Sequence, residues 1–402
     1  MLLNQRTDSE RLTQDAQVFF PQAQRFRRAL HELAELSWQE TATCAYLLNE
    51  LERIQASSLH PFTITNLKGG IAVDLDVEFA NKRLLLRADI DGLPIQEKTG
   101  LPFASKQPHT MHACGHDFHA AMLLSALEII SLNPIPPLHH LRLVFQRAEE
   151  VGSSHSGGKV LVDEHILVGV DEAIALHISG LKEKGTFFSR PGALLANTSF
   201  IEISLSASGG HVMHPHQGSN CIDILTDLLV SLRGIASTIL PPQELVALVV
   251  SQVHAGIANN IRPSEGKITI ALRNFLSEAN YHQLIDGIRT KVETIIQGFP
   301  SAFLTCFHVD KGYPALLNDP KSVAAVGQLL SKVFPVKEIE PSFAGEDFSY
   351  YLQKTKGCYW ILGAKNGEGH DHHTATFNPC ESILSDGINF WLHLCYLYQV
   401  EF

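Results

Sequence analysis

The chain is 402 residues long, 45% hydrophobic and 18% charged, with a net charge of −11 from 31 Lys and Arg against 42 Asp and Glu. That length exceeds what one compact core usually serves, so two domains are expected. The acidic balance has no basic block, which argues against nucleic acid or an anionic membrane as the main partner and suits a soluble enzyme for small molecules.

The N-terminal stretch MLLNQRTDSERLTQDAQ lacks a positive segment followed by an apolar one, so no secretory leader is expected. No run approaches the ~18 apolar residues of a membrane span. Seven cysteines (Cys44, Cys114, Cys221, Cys306, Cys358, Cys380 and Cys395) are scattered without framework spacing. A reducing, cytoplasmic setting follows as the expectation.

Residues 15–51 read as one helix, with apolar positions at helical spacing and no interior glycine. Patterns then alternate. Strands are predicted over 71–77 and 83–88, and a helix over 117–130 whose first-turn Asp117 suits the helix dipole. A strand over 141–147, a short helix over 158–165 and a strand over 173–178 follow. This alternation predicts an α/β fold, a mainly parallel sheet flanked by helices. The composition shifts at Ser199. Strands over 200–205, 245–253, 267–275 and 302–309, with helices over 221–233 and 278–297, give a βαββαβ order. That order predicts a ferredoxin-like insert of four antiparallel strands with two helices on one face. The expected organisation is a first domain of residues 1–198 and 311–402 interrupted by an insert of 199–310.

Within the first domain, His112-Ala113-Cys114-Gly115-His116-Asp117-Phe118-His119 places a thiol, three imidazoles and a carboxylate in eight residues. Thiolate, imidazole and carboxylate are the side chains that hold borderline divalent metals such as zinc. Cys114 and His116 are two apart, so they face one way only in an extended or loop segment, and Gly115 between them removes a crowding Cβ. Most of the 21 histidines, such as His139, His140, His282 and His393, read as ordinary surface or core residues. Others stand beside further ligand types. Asp89 and Asp91 follow the strand LLLRA, Glu149 and Glu150 follow LRLVFQRA, and His177 ends EAIALHI. Ligands in α/β sheets bind at the carboxyl ends of strands, and three strands deliver metal-type residues there. Adjacent glutamates at a strand end point apart, so one can bind metal while the other faces substrate. The run His370-Asp371-His372-His373 lies in a loop after the strand CYWILG.

The segments RRALHELAELSWQE, LLLRADIDGLP, MHACGHDFH, FQRAEE, ALHI, SRPGALLA, GGHVMHPH, NIRP, LRNF, AGEDF and HTATF occur in that order. In this the chain resembles the metal-dependent aminoacylase and carboxypeptidase family, in the branch of hippurate hydrolases, auxin-conjugate hydrolases and N-acyl-amino-acid amidohydrolases. The resemblance implies two divalent ions per subunit, Zn, Mn, Co or Ni, held by Cys114, His116, Glu150, His177 and His373. His373 is preferred to His372 because the family histidine stands four before the aromatic, here Phe377. It places the general base on Glu149, and makes Asp89 and Asp91 acids that orient histidines. Asp117 and His119 either share that task or cap and pack the helix.

The same resemblance makes the insert a lid and dimerisation domain. Its His211 would stabilise the oxyanion from the partner subunit of a homodimer, while Asn260 and Arg273 would grip the carboxylate of an N-acyl amino acid substrate. By residue type alone, Asn260 is a turn residue and Arg273 a strand-surface residue. The implied chemistry is amide hydrolysis by a metal-activated water with Glu149 accepting its proton. Rival readings are a dipeptidase, an N-acetyl-diaminopimelate deacetylase, or a catalytically silent metal-binding homologue. Departures from the usual pattern are Arg147 for proline and Val151 for glycine in FQRAEEV, Met213 and His214 in GGHVMHPH, and Ala34 for proline in AELSWQE.

Overall fold

The computed structural model describes residues 2–399. The chain divides into two compact units, the first comprising Met1–Leu194, Leu316–Pro341 and Glu346–Phe402, the second Leu195–Ala315 and Ser342–Gly345.

The single helix expected over 15–51 is three helices, Leu2–Val18, Phe20–Leu33 and Thr41–Ser57. Pro21 sits in the first turn of the second, where its missing N–H does no harm but from where it cannot continue a preceding helix. The third helix is capped from outside by Glu35, whose carboxylate accepts from Ala42 N at 3.1 Å and Thr43 N at 2.8 Å. Between them Leu36 bridges to Gly92 and Trp38 adopts a left-handed φ of 66°. The apolar spacing runs on through the breaks because Phe26, Leu30, Leu47, Leu51 and Ile54 all enter one core.

The first unit is built on an eight-stranded sheet. Its order is Phe62–Leu67, Gly70–Leu75, His140–Gln146, Arg83–Asp89, Glu172–Ser179, Lys356–Gly363, Phe187–Ser189 and Val336–Glu338. The four middle strands, from His140–Gln146 to Lys356–Gly363, are mutually parallel, as the alternating sequence predicts. Antiparallel pairs lie outside them. The first of these is a hairpin closed by the two residues Lys68 and Gly69, a connection only antiparallel strands can use. Helix His116–Leu132 is buried along nearly its whole length. It packs against helices Phe20–Leu33 and Ile383–Leu397, and its all-round apolar character suits that central place.

The second unit has four antiparallel strands in the order Val246–Ala255, Glu265–Asn274, Asn197–Ser206 and Phe303–Lys311. With helices Cys221–Leu232 and Glu278–Gln297 this is the expected ferredoxin-like arrangement. Burial alternates along Asn197–Ser206 and Glu265–Asn274, so one face is apolar. Ile201, Ile203, Ile268 and Ile270 meet Ile224, Leu228, Leu284 and Ile288 in a separate core. A cavity of about 570 Å³ opens between helix and edge strand, lined by Leu229, Leu232, Ile235, Leu240, Val246 and Leu248.

Candidate metal centre and active site

Because the middle strands run parallel, their carboxyl ends share one edge of the sheet. Arg83–Asp89 ends on Asp89, with Asp91 two residues further, and His177 lies near the end of Glu172–Ser179. Glu149 and Glu150 are displaced from the expectation: their strand ends at Gln146, and they occupy a turn beyond it. Strand alternation therefore does not set their directions. The turn does, through buried Ala148 at a left-handed φ of 53°. Glu40 secures it, its carboxylate accepting from Ala148 N at 2.7 Å and from Arg147 Nε at 2.9 Å. Arg147, the departure from proline, is thus tied to a buried acid.

Five groups of three potential ligand atoms form among the described residues, each with its atoms within 4.8 Å of one another. Two are made wholly of expected ligands, Cys114 with His116 and His177, and Cys114 with Glu150 and His373; the others are Asp89 with His116 and His119, His116 with Glu149 and Glu150, and Glu149 with Glu346 and Asp347. All five residues expected as ligands are brought together, with Cys114 common to the first two groups. Cys114 Sγ stands 3.4 Å from His177 Nε2. Gly115, at φ 91°, precedes the helix that carries His116, and a Cβ there would collide with Ile178. His373 takes a left-handed φ of 61° while its N–H donates to Ala113 O at 2.9 Å, which brings it back to the cysteine loop.

The donor set fits divalent cations. Among the described residues His116 Nε2 is buried with no hydrogen-bond partner, a costly arrangement unless a cation takes its lone pair, and Glu150 Oε1 lies 3.2 Å from His373 Nε2, a second expected ligand. Partners fix the rings. His177 Nδ1 donates to Ile178 O at 2.6 Å, leaving Nε2 as the lone-pair nitrogen toward Cys114. Asp91 Oδ1 lies 3.1 Å from His116 Nδ1. His119 has both nitrogens engaged, Nδ1 with Asp89 Oδ1 at 2.5 Å and Nε2 accepting from Ile178 N at 3.0 Å, so it braces Asp89. Asp117 faces away, bonded to Arg27 Nε and His31 Nδ1, each at 2.8 Å; it packs the helix start. His372 Nε2 contacts Ile178 O at 3.0 Å and belongs to none of these groups.

Electrostatics follow from the crowding. Burial disfavours charge on His116, yet Asp89, Asp91 and Glu150 push its pKa up to about 10. Burial and the carboxylates of Glu150, Glu149 and Asp89 push the Cys114 thiol well above its ordinary range. A field that grips protons so strongly also grips cations, which compete for the same lone pairs. His177 is driven the other way, by burial and by neighbouring His119 and His372.

Glu149 is buried beside these groups, and burial, then Glu346, Glu150, Asp347 and Asp91, raise its proton affinity well above that of an ordinary glutamate. Glu346 and Asp347 carried no assigned role in the sequence. They share Arg87, whose Nη2 stands 3.0 Å from Glu346 and 2.8 Å from Asp347, and Tyr359 OH donates to Glu346 at 2.7 Å. The available signals were an acidic pair in AGEDF and an arginine inside the apolar strand LLLRAD.

The structure places His211, Asn260 and Arg273 in the second unit. His211 is exposed on the short strand Gly210–His211, which pairs with Ile261–Arg262. Asn260 O accepts from Val212 N at 3.3 Å, so His211 and Asn260 are neighbours. Arg273 lies on Glu265–Asn274 with its guanidinium 5.2 Å from the centre of the Phe200 ring.

Comparison with known proteins extends over nearly the whole chain. Residues 85–396 match Peptidase family M20/M25/M40. An N-acetyl-L-cysteine deacetylase of Bacillus subtilis is 35% identical over 89% of this chain and 83% of its own length. An N-acetyldiaminopimelate deacetylase of Enterococcus faecalis is 33% identical over 90% of this chain and 94% of its own. A crystal structure of a dinuclear metal binding peptidase of the M20 family from Bacillus subtilis superposes with a TM-score of 0.79 at 27% identity, over 94% of this chain and 98% of that one.

Proposed function

The chain belongs to peptidase family M20/M25/M40, and from that premise we propose that it removes the acyl group from N-acyl amino acids or related conjugates. The coarser statement needs no proposal: it is a metal-dependent hydrolase of amide bonds. The observation that carries the finer reading is Cys114, which joins two ligand groups directly beside a buried, proton-avid Glu149.

In this reading Cys114, His116, Glu150, His177 and His373 hold two divalent ions, a mixed S, N and O set that suits Zn, Mn, Co or Ni. Bound there, the ions would supply Lewis acidity for activating water and the scissile carbonyl. Glu149 accepts the water's proton and returns it to the departing nitrogen. Asp91 and Asp89 keep His116 and His119 in place. His211 of a partner subunit donates to the oxyanion, and Asn260 with Arg273 grips the substrate carboxylate. A homodimer through the second unit is supported by its edge strand Val246–Ala255, which exposes Val249 and Val253 and offers an unpaired ladder. No helix among the described residues is long and apolar enough to cross a membrane. The seven cysteines are free, which supports a cytoplasmic setting.

A second reading, deacetylation of N-acetyl-diaminopimelate, is favoured by the Enterococcus faecalis relative. One screen separates them. Protein freed of metal and reloaded with each ion is offered N-acetyl and N-benzoyl amino acids, N-acetyl-diaminopimelate and free dipeptides, and the released acid or amine is measured. Release of carboxylic acid across several N-acyl amino acids is expected. Turnover of dipeptides alone, or no turnover with any ion, would defeat the proposal.

A further inference from the structure

The loop 209–218 in the second unit carries His211, and its neck is held by one side chain. Arg262 is 8% exposed, and among the described residues its three hydrogen bonds all go to backbone carbonyls. Nη2 donates to Gly209 O at 2.8 Å and to Gln217 O at 2.5 Å, and Nη1 donates to Gly218 O at 3.2 Å. A buried guanidinium is expensive to desolvate, and binding it with carbonyl oxygens alone offsets that cost only if the carbonyls are held in place. Here they come from both ends of the same loop. The planar fork suits the task, since it fixes two directions at once where an ammonium would fix neither.

The backbone is shaped to the same contact. Gly210, at φ 122°, approaches so closely that a Cβ would lie 3.0 Å from Arg262 Nη2. Gly209, at φ 61°, would put a Cβ 2.9 Å from Arg262 O, and Gly218, at φ 81°, would drive one into the Ser208 hydroxyl. The main chain of Arg262 joins in, because Ile261–Arg262 pairs with Gly210–His211, with His211 opposite Ile261. Gly209 N donates to Ser219 O at 3.1 Å and closes the neck. Side chain and backbone of one residue therefore hold the backbone that carries His211.

We propose that Arg262 is a positioning residue for the reaction, clamping the 209–218 loop so that His211 stands ready as oxyanion donor. The inference rests on the role given to His211 above. Arg262 touches no reacting atom and acts through His211.

The experiment is a double-mutant cycle on the full metal-loaded chain, with amide hydrogen exchange as a second readout. In R262Q the amides of 210–218 should exchange faster while those of strands Asn197–Ser206 and Glu265–Asn274 keep their protection. kcat should fall roughly 10- to 100-fold with KM nearly unchanged, as expected when a reacting group is misplaced by an ångström. R262K, which keeps the charge without the fork, should fall between. In an H211A background R262Q should cost nothing further. Unchanged exchange of the loop, or an equal loss of kcat with and without His211, overturns the proposal. Wild-type turnover by H211A itself overturns the oxyanion reading, and the exchange comparison then decides the clamp by itself.

Discussion

Asp91 holds Glu150 by its backbone: the Glu150 N–H donates to Asp91 Oδ2 at 2.9 Å, while the other oxygen of that carboxylate lies 3.1 Å from His116 Nδ1. One buried acid therefore orients two prospective metal ligands from different elements. In D91A both lose their support. Metal affinity should fall roughly 10- to 100-fold, the usual consequence of removing an outer partner of a ligand. Competition against a chelator of known affinity measures it, and an affinity unchanged within a factor of about two would show that Asp91 does not orient the site.

Glu149 is expected to move protons without holding metal. E149Q should reduce turnover by roughly 10²- to 10⁴-fold, the span of general acid–base catalysis, with metal content unaltered. Elemental analysis and initial rates on the same sample test both halves. Turnover equal to wild type would place the base elsewhere.

His373 reaches the site from a loop more than 250 positions after Cys114. If the residues 112–119 formed a metal clip by themselves, H373A would bind metal as the wild type does. The expected outcome is loss of metal at equilibrium, seen as fewer ions per chain after dialysis at fixed free concentration.

Acid stability should depend on Glu97. Burial works against its charge, but His31, at 3.2 Å, the Thr99 hydroxyl and Ser105 N, at 2.7 Å, bring its pKa down to about 2. Its unfolded value is about 4.3. A folded pKa below the unfolded one stabilises at pH above about 4.3, and that contribution disappears as pH falls toward 2. E97Q should therefore be less stable than wild type at neutral pH, and the difference in denaturant midpoint should shrink between pH 5 and 2. A difference that stays constant across that window would remove Glu97 from the account.

Local patterns carried the reading furthest where structure is local. The apolar runs Leu84–Leu86 and Leu141–Phe145 mark real strands, and residues just past them, Asp89 and Glu150, are among those gathered at the candidate metal centre. What escaped depends on partners distant in the chain. The break near Glu35 is stabilised partly by the Leu36–Gly92 bridge. Arg87 meets Asp347 across 260 positions, so nothing near either one announces the pairing. Arg262 bonds carbonyls 44 to 53 positions earlier, and backbone acceptors leave no trace in residue identity. The Glu149–Glu150 turn has no sign in the sequence, because its left-handed residue is Ala148 and not the glycine that would mark one.

The strand Lys356–Gly363 enters the middle of the first sheet, parallel to Glu172–Ser179 and antiparallel to Phe187–Ser189. On the ribosome those neighbours are made long before it. Until some 360 residues have emerged, the growing sheet presents an open, apolar ladder at Glu172–Ser179, while the core of the second unit draws only on residues between Ile201 and Val309. Nascent chains stalled before Lys356 should thus depend on chaperones. The candidate metal centre, which needs His373, is among the last parts of the molecule that synthesis can complete.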